Sequence, residues 1–249
     1  MGKEKLEASS KRLLMELNSA VDETKKKCSG EIDELRCFLS DILHYFAEIP
    51  RKPRFHISLV DVCIAELWRQ SLWIYYLTMI GLYRNAFESI RFVLESMIQS
   101  LYIDSRHPNA SMRTKIEILK EIEGRREYRA PNLISELDID HKDILTKVYK
   151  KLSRTIHPSH QNIAALLEAF TKSESIVRDI DCGQISEIHE HSKTLFDIVL
   201  FLYISQFPHE GSMRKSFEKD TKLGELVRTH NLSLLSKILK IRLRRESTR

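Results

Sequence analysis

Glycine and proline are scarce in this chain, 7 and 6 of 249 residues, which is roughly half their usual share. Sandwiches, barrels and doubly wound sheets spend both residues on many tight turns, so long helices with few connections are expected instead. Long apolar runs are missing too. The longest uncharged stretch, Gln70 to Tyr83, has 14 residues, and the run from Leu195 to Phe207 is broken by Asp197. Both fall short of the ~20 residues a membrane-crossing helix needs, so no stable membrane insertion is expected. The cysteines (Cys28, Cys37, Cys63, Cys182) are scattered without C-x-x-C spacing. They read as free thiols in a reducing cytoplasm rather than a disulfide scaffold or zinc knuckle. The start, MGKEKLEASS, has no apolar h-region, and cytoplasmic residence is the expectation.

Chemistry-bearing motifs are equally sparse. There is no G-x-G-x-x-G, no G-x-x-x-x-G-K and no G-x-S-x-G, which removes the standard phosphate-cradling loops and the nucleophile elbow. His189-Glu190-His191 does not have zinc-helix spacing, and no pair of E-x-x-H segments offers a di-iron site. Asp138-x-Asp140 lacks the further ligand and glycine of a calcium loop. No metal and no cofactor is expected.

What the chain does have is helical periodicity. Leu6, Leu13, Leu14, Leu17 and Val21 share one face of a first helix, and Ile32 to Phe46 carry a second past a break at Ser29-Gly30. Ile57–Ile80 and Tyr83–Asp104 read as two very apolar helices joined at Gly81, an antiparallel hairpin at the centre of the bundle. Further helices are expected over about 111–123, from Asp140 to Pro158, over about 161–171 and from Gln184 to Gln206. The stretch GRREYRAP reads as a surface loop. Net charge is +5, but Ser212 to Arg249 carries 11 Lys/Arg against 4 Asp/Glu, leaving the rest at −2. The fold expected is an all-α multi-helix bundle over 1–208, with a basic amphipathic C-terminal helical appendage over 209–249. An electrostatic partner should meet that appendage.

Three constellations stand out. On Tyr83–Asp104, the residues Arg84, Glu88, Arg91, Glu95 and Tyr102 fall in one sector, forming either a salt-bridged packing stripe or a charged groove wall able to meet phosphate. From Tyr149 to His160, Arg154, His157 and His160 crowd a helix end that Pro158 turns. Histidine can take a ribose 2′-hydroxyl proton near neutral pH and arginine can stabilise phosphoryl charge, the pairing that metal-free RNA cleavage requires. The bland alternative is that His157 and Arg154 satisfy the last carbonyls of the helix. Finally, Leu232, Leu234, Leu235, Ile238, Leu239, Ile241 and Leu243 form an apolar arc opposite Lys237, Lys240 and Arg244, expected to pack on its own bundle or on a second copy.

The segment GLYRNAFESIRFVLESMIQSLYID, Gly81 to Asp104, resembles a hairpin helix of poorly characterised microbial helical proteins. In that pattern Gly-Leu-Tyr-Arg-x-Ala precedes Arg-x-x-Leu-Glu, matched by Arg91, Leu94 and Glu95. A later Tyr-x-x-Leu-Ser running to His-Pro-Ser is matched by Tyr149, Leu152, Ser153, His157, Pro158 and Ser159. The group is distantly similar to the HEPN and abortive-infection superfamily. The resemblance implies a HEPN-like core over about 57–206 and, for active members, a dimeric, metal-independent ribonuclease of a defence or toxin system. The superfamily's signature, Arg then four to six residues then His, is met in spacing by Arg154 and His160 and by Arg51 and His56.

The leading expectation is a cytoplasmic helical-bundle interaction protein that self-associates and has no catalytic site of its own. The alternative is the HEPN-like endoribonuclease, with His157 or His160 as base, Arg154 as phosphate stabiliser and RNA as substrate.

Overall fold

A computed structural model of the chain describes residues 2–48, 58–139, 142–156, 180–206 and 212–241. Among these residues the protein is an all-α bundle without a strand. Its helices are α1 (Gly2–Lys27), α2 (Ser29–Glu48), α3 (Leu59–Met79), α4 (Tyr83–Arg106), α5 (Met112–Ile122), α6 (Ala130–Glu136), α7 (Lys142–Ile156), α8 (Cys182–Ser205), α9 (Ser212–Glu218), α10 (Thr221–His230) and α11 (Ser233–Ile238). No helix among the described residues is long and apolar enough to cross a membrane.

Local chemistry sets most of these boundaries. Ser58 and Ser111 accept from Asp61 N–H and Thr114 N–H and so start α3 and α5, while Asp181 accepts from Gly183 and Gln184 to start α8. At the α3–α4 joint Gly81 adopts φ +73°, a left-handed conformation that glycine reaches without Cβ strain. Leu82 N–H then donates to Leu77 O at 2.8 Å, closing the spare carbonyls of α3. The two helices run antiparallel: Val60 N–H, at the start of α3, donates to Asp104 Oδ2 near the end of α4 at 3.0 Å.

The most enclosed helix is α8. Leu195 through Ile204 are ten consecutive buried residues, wrapped mainly by α2, α4 and α11. Of the hairpin expected at the centre, α4 is central, packing on α3, α5, α6, α7 and α8. α4 is well covered, but α3 lies at the flank, with Val62, Trp68, Trp73 and Tyr76 each about half exposed. Uniform hydrophobicity suggested burial on all sides, and α8 satisfies that pattern while α3 does not.

Other sequence expectations need correction. Leu13 and Leu14 on α1 are 41% and 61% exposed, so among the described residues that part of the apolar face is left open, whereas Val21 packs on the core. Within 124–131 a 3-10 turn (Arg126–Tyr128) leads directly into α6, where Pro131 sits in the first turn; a proline there removes only an N–H that would be orphaned anyway. Within the C-terminal segment expected over 209–249, α9 and α10 are separate helices divided at Asp220, which caps α10 by accepting from Lys222 and Leu223. The terminal helix stops at Ile238 and Lys240 takes φ +54°. The segments 161–171 and 242–249, and Asp140 as a helix cap, lie outside the described residues.

Cys28 and Cys182 form a disulfide across 154 positions, so two of the four cysteines are not the free thiols expected. Only Cys37 and Cys63 are free. The bond removes the thiol argument for a reducing compartment. It joins the single residue between α1 and α2 to the first residue of α8. Scattered spacing gave no sign of it, because the two positions meet only once the bundle has formed.

Candidate functional site

Two of the constellations read from the sequence meet in space. Along α4, Arg91 and Glu95 occupy adjacent turns, and the Arg91 Nε donates to Glu95 Oε1 at 2.9 Å. From α7, the Tyr149 hydroxyl donates to that same oxygen at 2.7 Å. Arg91 Nη2 closes the triangle by donating to the Tyr149 oxygen at 3.2 Å, and its guanidinium lies over the phenol ring. Burial raises the Tyr149 pKa, and the Glu95 carboxylate adds to the shift, so the phenol remains a donor at neutral pH.

α8 supplies the third wall. His191 is 4% exposed and packs edge-on against Phe87, one turn before Arg91, at 5.4 Å. Its Nε2 lies 3.4 Å from Glu187 Oε1 without an aligned hydrogen bond. Burial lowers the His191 pKa, and Lys151 of α7 lowers it further. A guanidinium, a carboxylate and a phenol are thus joined by hydrogen bonds between α4 and α7, and the His191 imidazole of α8 packs on Phe87 one turn before Arg91. Arg91 and Glu95 remain 24% and 33% exposed, so the network borders solvent.

The rest of the α4 stripe does not join it. Arg84 and Glu88 form a separate, half-exposed pair at 3.1 Å, worth little in water. Tyr102 sits near the far end of the helix, 6.2 Å from Tyr128 and beneath the Arg106 guanidinium. Arg154 is exposed on the last described turn of α7, with no ion pair to a described residue. His157 and His160 lie outside the described residues, as do Arg51 and His56.

Three structurally decisive polar residues went unread in the sequence. Lys115 of α5 is 2% exposed, and its Nζ donates to Asp104 Oδ1 at 2.7 Å. Since Asp104 also accepts from Val60, one carboxylate ties α3, α4 and α5 together. The signal was available: Lys115 stands in register with Leu119 and Ile122 on the apolar face of α5, where a lysine needs a buried partner. Asp197, 5% exposed in α8, accepts from Leu234 N–H and Leu235 N–H at 2.8 and 2.9 Å. It thereby caps α11 from a different helix, and Leu232, Leu234, Leu235 and Leu239 are buried beside it. The only hint was an acidic residue interrupting an apolar run.

Between α2 and α10 lies a cleft of about 420 Å³ lined by Asp41, His44, Tyr45, Lys222 and Glu225 among others. Its walls mix both signs, and Asp41 is already engaged by His230 at 2.9 Å, so the cleft has no clear charge preference.

A second feature is apolar. On α3, Val62, Trp68, Trp73 and Tyr76 project from the outward arc, and Phe92 of α4 is similarly exposed. Glu66 and Arg69 pair with each other in the middle of that arc. At about half exposure, and about 150–250 Å² per aromatic side chain, the patch presents on the order of 400 Å².

No family model, no curated protein and no solved structure matches this chain.

Proposed function

We propose that the protein is an interaction module that self-associates through the outward face of α3. The observation that carries this reading is the half-exposed set Val62, Trp68, Trp73 and Tyr76, which a monomer in water gains nothing by displaying. A second copy suits the face because Glu66 and Arg69 sit together at its middle. A two-fold axis between those positions, with α3 packed antiparallel on its counterpart, sets Glu66 opposite the partner's Arg69 and Val62 opposite the partner's Trp73. One patch then complements itself, as an isologous interface must. The area is about half of what a standard interface buries per partner, so the dimer is modest and concentration-dependent.

Sedimentation across a wide concentration range tests this. The parent should move from monomer to dimer, and Trp73→Glu should stay monomeric with an unchanged melting temperature. A parent that remains monomeric at high concentration overturns the reading.

The metal-independent, HEPN-like endoribonuclease of a defence system is the second reading. It is supported by the exposure of Arg154, which no described ion pair occupies. It requires His157 or His160 as base and predicts RNA cleavage without added metal, abolished in His157→Ala/His160→Ala. Failure of the parent to cut structured RNA sinks it and leaves the interaction module.

A further inference from the structure

Glu31, in the first turn of α2, follows Cys28 by three residues. A carboxylate oxygen of Glu31 and the sulfurs of Cys28 and Cys182 all lie within 4.8 Å of one another. Glu31 is half-buried, and among the described residues no ion pair or hydrogen bond engages its carboxylate. The neutral disulfide beside it supplies no charge partner.

We propose that Cys28, Cys182 and Glu31 form a redox-gated site for a thiophilic divalent cation of the zinc type. Oxidised, the two sulfurs are bonded to each other and offer no thiolate. Reduction by a dithiol breaks the S–S bond: two electrons and two protons pass to the sulfurs, and the dithiol leaves as its own disulfide. The cation then displaces both thiol protons and binds two thiolates and the Glu31 carboxylate, with the fourth position left to water. The cation itself changes no oxidation state. Two soft sulfurs with one oxygen suit zinc and exclude magnesium and calcium. Tetrahedral zinc holds its sulfurs about 3.8 Å apart, so the two sulfurs, bonded in the oxidised chain, must swing apart on reduction between Cα atoms that stand 5.3 Å from each other. Cys182 opens α8, where the helix terminus favours its thiolate, while Cys28 is fully buried and closes the site from the core side.

Cobalt is the probe, because thiolate coordination gives it a charge-transfer band that zinc lacks. The full chain, reduced with a non-chelating phosphine and freed of it, is titrated with Co²⁺ in parallel with the oxidised chain. One equivalent should bind the reduced chain with the thiolate–cobalt band, and the oxidised chain should show none. Cys37→Ser/Cys63→Ser should bind like the parent, and Glu31→Gln should bind about tenfold more weakly or worse. These last two variants leave both bridging sulfurs in place, so the test does not depend on a fold lacking them. The proposal is overturned by a reduced chain without the band, by a band lost in Cys37→Ser/Cys63→Ser, or by Glu31→Gln binding as tightly as the parent.

Discussion

The Tyr149 hydroxyl donates to Glu95 Oε1 at 2.7 Å, across the interface of α7 with α4. Arg91 donates to both of these groups, so the three side chains hold the two helices in one register. Partial exposure of Arg91 and Glu95 moderates the energy. Glu95→Ala should cost about 1–2 kcal/mol, less than a fully buried pair would, and Tyr149→Phe about 1 kcal/mol. Urea denaturation of both single variants and the double variant measures the coupling. Strict additivity would show that the hydrogen bond contributes nothing.

Lys115 is a harsher case, since at 2% exposure it neutralises Asp104 away from water. Lys115→Met should destabilise by about 3 kcal/mol, because the carboxylate is left without its cation. Adding Asp104→Asn should recover much of that loss, since the amide oxygen still accepts from Val60. A double variant no better than Lys115→Met, judged by thermal melting, would contradict this account.

Acid should weaken the fold through its buried histidines. Burial holds His191 below its ordinary pKa of 6.5, with Lys151 adding to the effect. His189 is lowered in the same way by burial and Lys193. The folded state therefore prefers both rings neutral, whereas the unfolded chain protonates them readily. Their stabilising contribution is present above 6.5 and is lost as pH falls through the folded values. His191→Phe keeps the contact with Phe87 and should flatten part of that decline in a pH series of melting curves. An unchanged slope would exclude His191 as a contributor.

Asp197 makes the C-terminal segment part of the bundle. Asp197→Ala removes the acceptor of two backbone N–H groups and should cost about 2 kcal/mol, with earlier protease cleavage beyond His230. Truncation after His230 should destabilise further, in high salt as in low, because Leu232, Leu234, Leu235 and Leu239 are buried and burial is not screened by ions. A truncated chain as stable as the parent would make the segment an accessory arm instead.

Helix identity was legible wherever periodicity and caps agreed. Ile32 to Phe46 and the Gly81 joint follow from apolar spacing and turn chemistry alone, and the helix expected from Gln184 begins two residues earlier, at Cys182. Partner choice was not. Arg91 and Glu95 were recognisable as a pair, but Tyr149 lies 54 positions from Glu95 and nothing local marks it as the third member. The same limit hid the pairing of Cys28 with Cys182. α3 misled for a different reason: Trp68, Trp73 and Tyr76 resemble core residues by type, and only the neighbours supplied by the fold decide whether an aromatic side chain is covered.

The Cys28–Cys182 bridge also changes what a cut in the chain can do. Every residue between the two cysteines belongs to a covalent ring that includes α2 to α7 and the stretch leading into α8. A protease that nicks this ring once, at any exposed point, opens it without releasing a fragment. The nicked chain keeps the mass of the intact one, apart from a single added water, and comes apart into two pieces only after a reductant is supplied.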